Sequence, residues 1–293
     1  MTKVGLRMLG SFRGEVAGEP ANLGPARQRA VLAMLVGAGG RVVTTDGLID
    51  GLWSGRPPAT ALASLQVYVS NLRRVLEPRW PPRAPASVLV SAVPGYRLCL
   101  DSRDVDAWRF RELAHAAFAE QDRTRAVAIA DEALALWEGP AYAEFAHKHW
   151  AAPEAAQLEE LRRATVEYRA EAALDLGWHA QIIPALEQHT RDHPFRENAA
   201  RLLALACYRS GRQGDALAVI ARTRRLLVHE LGVDPGPGLR ELESAILAQS
   251  RSLDLVSPQP LRLVATVPSR RRTPAHRIRR PWSRYAPCHR CPP

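Results

Sequence analysis

The sequence predicts an α+β domain of about the first hundred residues, followed by an all-α helical-repeat domain. Three observations point there. Apolar periodicity is strand-like only near the start and around residues 88–100, and helical from about residue 105 to 250. Three later helix-turn junctions resemble one another. The charge also changes sign along the chain: residues 1–100 carry +7, residues 101–250 carry −6, and residues 251–293 carry +9, within a net +10 over 293 residues.

Residues 3–23 alternate apolar and polar positions (Val4, Leu6, Met8, then Phe12 and Val16). Gly10, Gly14, Gly18 and Pro20 break the run, which reads as short antiparallel strands. From Pro25 the period turns helical, with Ala30, Val31, Met34 and Leu35 on one face and Gly37, Gly39 and Gly40 as the stop. Val42-Val43 suits a strand, and Thr45 is the expected cap of a short helix bearing Leu48, Ile49, Leu52 and Trp53. After the rigid Gly55-Arg56-Pro57-Pro58 loop, a third helix is expected from about Thr60 to Leu76. Pro78, Pro81, Pro82 and Pro85 mark a linker. Val88–Val93 and Tyr96–Leu100 then flank a Pro94-Gly95 turn as a hairpin. Three helices and a hairpin describe a winged helix-turn-helix, expected to fill residues 1–100.

The second part, residues 101–250, is rich in Ala and Leu and is read as helical throughout. Its alike junctions are Gln121-Asp122-Arg123 before Ala126, Gly177-Trp178-His179 before Ala180, and Gly211-Arg212-Gln213 near Ala216. Pro140 and Pro194 each follow the matching alanine, Ala126 or Ala180, by 14 positions, as in tetratricopeptide-like hairpins. The intervals between alanines, 54 and 36, are unequal. Residues 251–293 hold ten arginines and eight prolines without periodicity, and read as a disordered tail.

The third helix carries the chemistry. At 100° per residue, Leu62, Leu65, Val69, Leu72 and Leu76 share an arc that Ala61, Tyr68 and Val75 widen. The other side carries Thr60, Ala63, Ser64, Gln66, Val67, Ser70, Asn71, Arg73 and Arg74, without one carboxylate before Glu77. A helix that reads a DNA groove needs such a face: small residues for approach, amides for base edges, and arginine for guanine or phosphate. An ordinary solvated face mixes Glu with Lys. The candidate DNA-binding set is Thr60, Ser64, Gln66, Val67, Ser70, Asn71, Arg73, Arg74 and Arg97. Gln66, Ser70 and Asn71 are assigned to base edges. Thr60, Arg73, Arg74 and the wing residue Arg97 are assigned to phosphate. Arg27 and Arg29, near the first helix, suit a phosphate clamp or a simple surface role. Trp53 is expected in the core, and the loop from Gly51 to Ala59 is long enough to meet transcription machinery.

Other chemistries find little. The chain has no G-x-S-x-G, H-E-x-x-H or G-x-G-x-x-G run, so no enzyme, cofactor or metal is expected. His189 and His193 are spaced like ligands but lack a second pair, and Cys288-His289-Arg290-Cys291 is a lone C-x-x-C. Four scattered cysteines exclude a disulfide framework. With no bilayer-length apolar run and no leader, the expected location is the cytoplasm, on the nucleoid.

Several segments resemble a known family. Leu23-Gly24-Pro25-Ala26-Arg27-Gln28-Arg29-Ala30, then Leu65-Gln66-Val67-Tyr68-Val69-Ser70-Asn71-Leu72-Arg73-Arg74, and Pro94-Gly95-Tyr96-Arg97-Leu98 are similar to the OmpR-like winged helix of the Streptomyces antibiotic regulatory protein family. Ala133-Leu134-Ala135-Leu136-Trp137-Glu138-Gly139-Pro140, Leu161-Arg162-Arg163, Tyr208-Arg209-Ser210-Gly211-Arg212-Gln213 and Glu230-Leu231-Gly232-Val233-Asp234-Pro235-Gly236-Pro237 resemble its bacterial transcriptional activator domain. The resemblance covers roughly residues 3–250. It implies an activator of a biosynthetic gene cluster that binds promoter direct repeats as side-by-side protomers, a homo-oligomer on DNA, and recruits RNA polymerase. Asn71 stands where family members commonly carry a basic residue. The ATPase module of larger relatives is not expected, because no G-x-x-x-x-G-K-[ST] run is present, and neither is a receiver domain. A helical-repeat adaptor and a ligand-responsive repressor are the alternatives.

Overall fold

Chain order begins with three short strands, β1 (Val4–Arg7), β2 (Arg13–Val16) and β3 (Glu19–Ala21), which form an antiparallel sheet in that order. Leu6 faces Gly14 in the β1–β2 register, and Val4, Leu6 and Met8 are all buried. The computed structural model describes residues 3–78 and 85–254. Pro81 and Pro82 of the expected linker, and residues 255–293 of the tail with the Cys288–Cys291 pair, lie outside the described residues. The start of the tail, expected to be disordered, instead forms a 3₁₀ turn (Arg251–Leu253) that buries Leu253, whose carbonyl accepts from Arg209 Nε at 2.7 Å.

Helix α1 (Ala26–Gly37) buries every residue from Ala30 to Val36, so it is apolar all round and forms the centre of the first core. Strand β4 (Val43–Thr44) leads into α2 (Thr45–Trp53). The cap is Thr44 rather than Thr45: Thr44 has extended backbone, and its Oγ1 accepts the Gly47 amide at 3.0 Å. Thr45 is the first helical residue, and its own amide donates to the Pro94 carbonyl. Helix α3 (Ala61–Leu76) precedes a hairpin of β5 (Leu89–Ala92) and β6 (Gly95–Leu98), with β4 added on the free side of β6. This is the winged helix.

The helical part comprises α4 (Asp106–Ala119), α5 (Arg123–Leu134), α6 (Ala152–Asp175), α7 (His179–Asp192), α8 (Glu197–Arg209), α9 (Gln213–Leu226) and α10 (Pro237–Leu247). The three alike junctions immediately precede or open α5, α7 and α9, the returning helices of three hairpins. The repeat register differs from the one the alanines suggest. Ala126 and Ala216 are fully buried, but Ala180 is exposed and Ile182 fills its place. Each of these three buried residues is the fourth of its helix, and Ile182 and Ala216 are 34 positions apart, the tetratricopeptide period. The first interval is longer because a 17-residue loop (135–151) separates α5 from α6 and α6 itself runs for 24 residues.

The helical part is not helical throughout. Residues 135–151 form a loop with one short 3₁₀ turn, Ala143–Phe145. Helix α5 ends at Leu134, well before the Pro140 at which the spacing places its end, and the end of the N-terminal sheet supplies acceptors for amides of the loop that follows. Glu138 N donates to Leu9 O at 2.8 Å, and Tyr142 N to Met8 O at 2.9 Å. The reverse direction is met by Asp106, a buried carboxylate at the first turn of α4. It accepts the Met8 amide on both oxygens, at 2.7 and 2.8 Å, and the Leu9 amide at 3.0 Å. Burial pushes the Asp106 carboxyl up, partly offset by these amide bonds. Trp108 Nε1 donates to Val36 O at 2.9 Å, tying α4 to the end of α1.

One apolar cluster therefore runs from Val4 through α1 and α3 to Phe110, Tyr142 and Leu158, across residue 100. A second joins Val127 to the second half of α6 and to α7–α10. Between α6, α7 and α8 sits a polar knot: buried Glu167 accepts from Arg196 and from Asn198 Nδ2 at 2.9 Å, and lies 3.3 Å from His189 Nε2. Burial raises the Glu167 carboxyl, but these partners outweigh it and bring it down to about 2. His189 is thus engaged with Glu167. Among the described residues no group of three or more His, Cys, Asp or Glu is placed to hold a metal ion, and no helix is long and apolar enough to cross a membrane.

Candidate nucleic-acid interface

Helix α3 buries Ala61, Leu65, Val69, Leu72 and Leu76 against its neighbours, with Tyr68 and Val75 half-buried beside them. Leu62 is the exception, at 49% exposure. It shares a bearing with Val69 but sits two turns nearer the helix start, where none of the described residues covers that side. The opposite face is open. Thr60, Ala63, Gln66, Val67 and Arg74 are exposed, and Ser64, Ser70, Asn71 and Arg73 are half-buried. Thr60 occupies the cap position without making a side-chain cap bond. The helix starts without a carboxylate in its first turn.

The two arginines of this helix behave differently. Among the described residues Arg74 reaches only the Asn71 side chain, at 3.4 Å, and remains exposed. Arg73 is bound to the wing: Nε donates to Leu89 O and Nη2 to Ser91 Oγ, both at 2.8 Å, and its guanidinium lies 5.9 Å from the Tyr96 ring centre. Its visible work is to fix the angle between α3 and the hairpin. Glu77, the first acid after the face, turns away from it and accepts the Ser87 hydroxyl and the Ser87 and Val88 amides, anchoring the chain as it enters β5. No sequence signal marks either tether, because both partners are reached through space across the linker.

Arg97 projects from β6, exposed, opposite Val90 in the register. The glycine in Pro94-Gly95-Tyr96 has a steric reason: a Cβ at Gly95 would stand 1.9 Å from the Val43 carbonyl oxygen, where β4 pairs with β6. The wing thus joins the body through the strand that starts α2. Residues 54–60, between α2 and α3, are exposed throughout, and Ser54 (φ 51°) and Gly55 (φ 78°) take left-handed conformations that turn the chain outward.

Of the residues near α1, Arg29 pairs with Glu144 at 2.7 Å and with Gly24 O at 2.8 Å, linking the winged helix to the 135–151 loop. It serves the fold rather than a phosphate clamp. Arg27 is exposed, with its guanidinium 5.6 Å from the Trp53 ring centre. Trp53 is half-buried against the core.

Comparison with known proteins bears on both halves. The family model described as transcriptional regulatory protein, C terminal, matches residues 18–98, and that described as bacterial transcriptional activator domain matches residues 105–247. The chain is 42% identical over 250 residues to the regulatory protein AfsR of Streptomyces coelicolor, covering 84% of this chain and 24% of that one. It is 35% identical to the transcriptional regulator RedD of the same organism (87% of this chain, 73% of that one). With the regulatory protein DnrI of Streptomyces peucetius it shares 34% identity over 87% of this chain and 96% of that one. It therefore spans about a quarter of AfsR but nearly all of DnrI. The solved structure of Mycobacterium tuberculosis EmbR in complex with a low-affinity phosphopeptide superposes with a TM-score of 0.79 at 37% identity, over 85% of this chain and 66% of that one. The chain belongs to the Streptomyces antibiotic regulatory protein family.

Proposed function

We propose that this protein is a sequence-specific DNA-binding transcriptional activator of a biosynthetic gene cluster, without catalytic activity of its own. The observation that carries this reading is the open, carboxylate-free face of α3, held at a fixed angle to a wing that presents Arg97. That helix enters the major groove, with Gln66, Ser70 and Asn71 facing base edges, Ser64 and Val67 approaching closely, and Thr60 meeting phosphate at the helix start. Arg74 and Arg97 take phosphate, and Arg73 holds the two reading elements together while its charge favours the backbone. Protomers sit side by side on promoter direct repeats. The exposed loop at residues 54–60 and the helical repeats offer surfaces to RNA polymerase. The names of the relatives and of the activator-domain family support the regulatory part of this reading.

The test is an equilibrium titration of labelled duplexes selected from a random pool, repeated across salt concentrations. Affinity is expected to fall steeply with salt, and Arg74→Ala to weaken all sequences while lowering the log–log slope by about 1. Selection of no sequence, or an unchanged slope in the variant, refutes the assignment of this face or of that residue, respectively.

A further inference from the structure

Val67 is the most exposed large apolar side chain of α3, at 55%, and its place on that helix is specific. At 100° per residue it points directly away from Leu76, which is fully buried, and so lies on the ridge farthest from the core, between Ala63 and Arg74. Neither packing nor propensity accounts for a valine there. It touches no core, and a β-branched residue is a weaker helix former than Ala, Gln or Arg. Its neighbours a turn away on either side are short: Ala63, Ser64, Ser70 and Asn71. They leave the valine methyls free to come into van der Waals contact with a flat surface.

The major-groove edges of the four bases differ in their donors and acceptors, but only thymine presents an apolar group, its C5 methyl. A branched hydrocarbon at the crest of the reading face has no other apolar partner there. We infer that Val67 is a specificity-determining residue that packs on the C5 methyl of a thymine, one per half-site. The inference rests on the proposed groove reading by α3, and it adds a base preference that hydrogen-bonding residues do not supply.

The experiment uses the full chain and duplexes selected by it from a random pool. Each thymine of the selected half-site is replaced singly by uracil, which removes the methyl and leaves pairing and hydrogen-bonding groups intact. The wild-type protein is expected to lose about fourfold in affinity at one position, the worth of one buried methyl. Val67→Ala is expected to bind the thymine and uracil duplexes equally well at that position. Because Val67 contributes nothing to the core, the variant keeps its fold, and the uracil scan needs no variant at all. Selected duplexes whose binding is indifferent to every uracil overturn the inference while leaving groove reading in place. A methyl effect that persists in Val67→Ala assigns it to another residue and also overturns it. Failure to select any sequence overturns the groove reading itself.

Discussion

Removing the Asp106 carboxylate should cost more than an ordinary surface substitution, and the structure sets the size. Its oxygens are the acceptors for the Met8 and Leu9 amides, whose residues are 0% and 1% exposed. Asp106→Ala leaves two buried backbone donors without their acceptor. Each orphaned amide costs about 1–3 kcal/mol. The loss of a carboxylate from the first turn of α4, including its bond to the Ala107 amide, adds about 0.5 kcal/mol. The expected destabilisation is therefore about 2.5–6.5 kcal/mol, a large share of the ~5–15 kcal/mol that holds such domains folded. Asp106→Asn retains one acceptor oxygen and should lose about half as much. Urea unfolding followed by tryptophan fluorescence measures both, since Trp108 and Trp137 pack against the same core. If the alanine variant lost less than about 1 kcal/mol, those amides would have other acceptors, and Asp106 would not be what locks the sheet to the helical part.

Three further outcomes are expected. Glu167 is held at about 2 against an ordinary 4.5, so its stabilisation of about 3 kcal/mol is complete above pH 4.5 and is lost as pH falls towards 2. Melting temperatures from pH 7 to 3 should show this loss in the wild type and a shallower slope in Glu167→Gln. Arg73→Ala should lower stability by about 1–3 kcal/mol through the released Leu89 and Ser91 acceptors, and should weaken DNA binding equally on all sequences. A pure change of base preference, measured on a panel of duplexes, would contradict its role as a strut. Gly95→Ala forces the Val43 carbonyl out of the β4–β6 pairing. A loss of at least about 2 kcal/mol is expected, with faster amide exchange in the wing strands; unchanged exchange would show that the strand can shift at no cost.

The elements with short-range signatures were readable from residues alone. Alternation placed the first strands, but of the four expected breakers only Gly10 and Gly18 fall between strands; Gly14 pairs within β2 and Pro20 within β3. The apolar arc of residues 61–76 was correct wherever a partner covers it, and failed at Leu62, where position along the axis decides burial and bearing does not. Three helix starts were visible in their turn residues, but the repeat register was not. Alanine packs as well as isoleucine in a tight crossing, so Ala180 and Ile182 compete by geometry rather than composition. Least legible were the through-space ties. Asp106 meets Met8 from 98 positions away, and Arg73 meets Leu89 across a proline-rich linker. An acid and an arginine at such positions look like ordinary surface charges until the chain is folded. The Thr44 cap was missed by one residue for a local reason, since two threonines in succession satisfy the same pattern.

The apolar cluster that passes from α1 into α4 and the 135–151 loop has a consequence for how such regulators are assembled. A graft that ended near residue 100 would tear Leu6, Met8 and Val105 from their neighbours and leave a greasy scar on both pieces. If the α3 face reads DNA as proposed, operator preference is exchanged more readily through a few outward residues on that one helix. Transplanting whole modules would demand that the recipient rebuild the missing half of the interior.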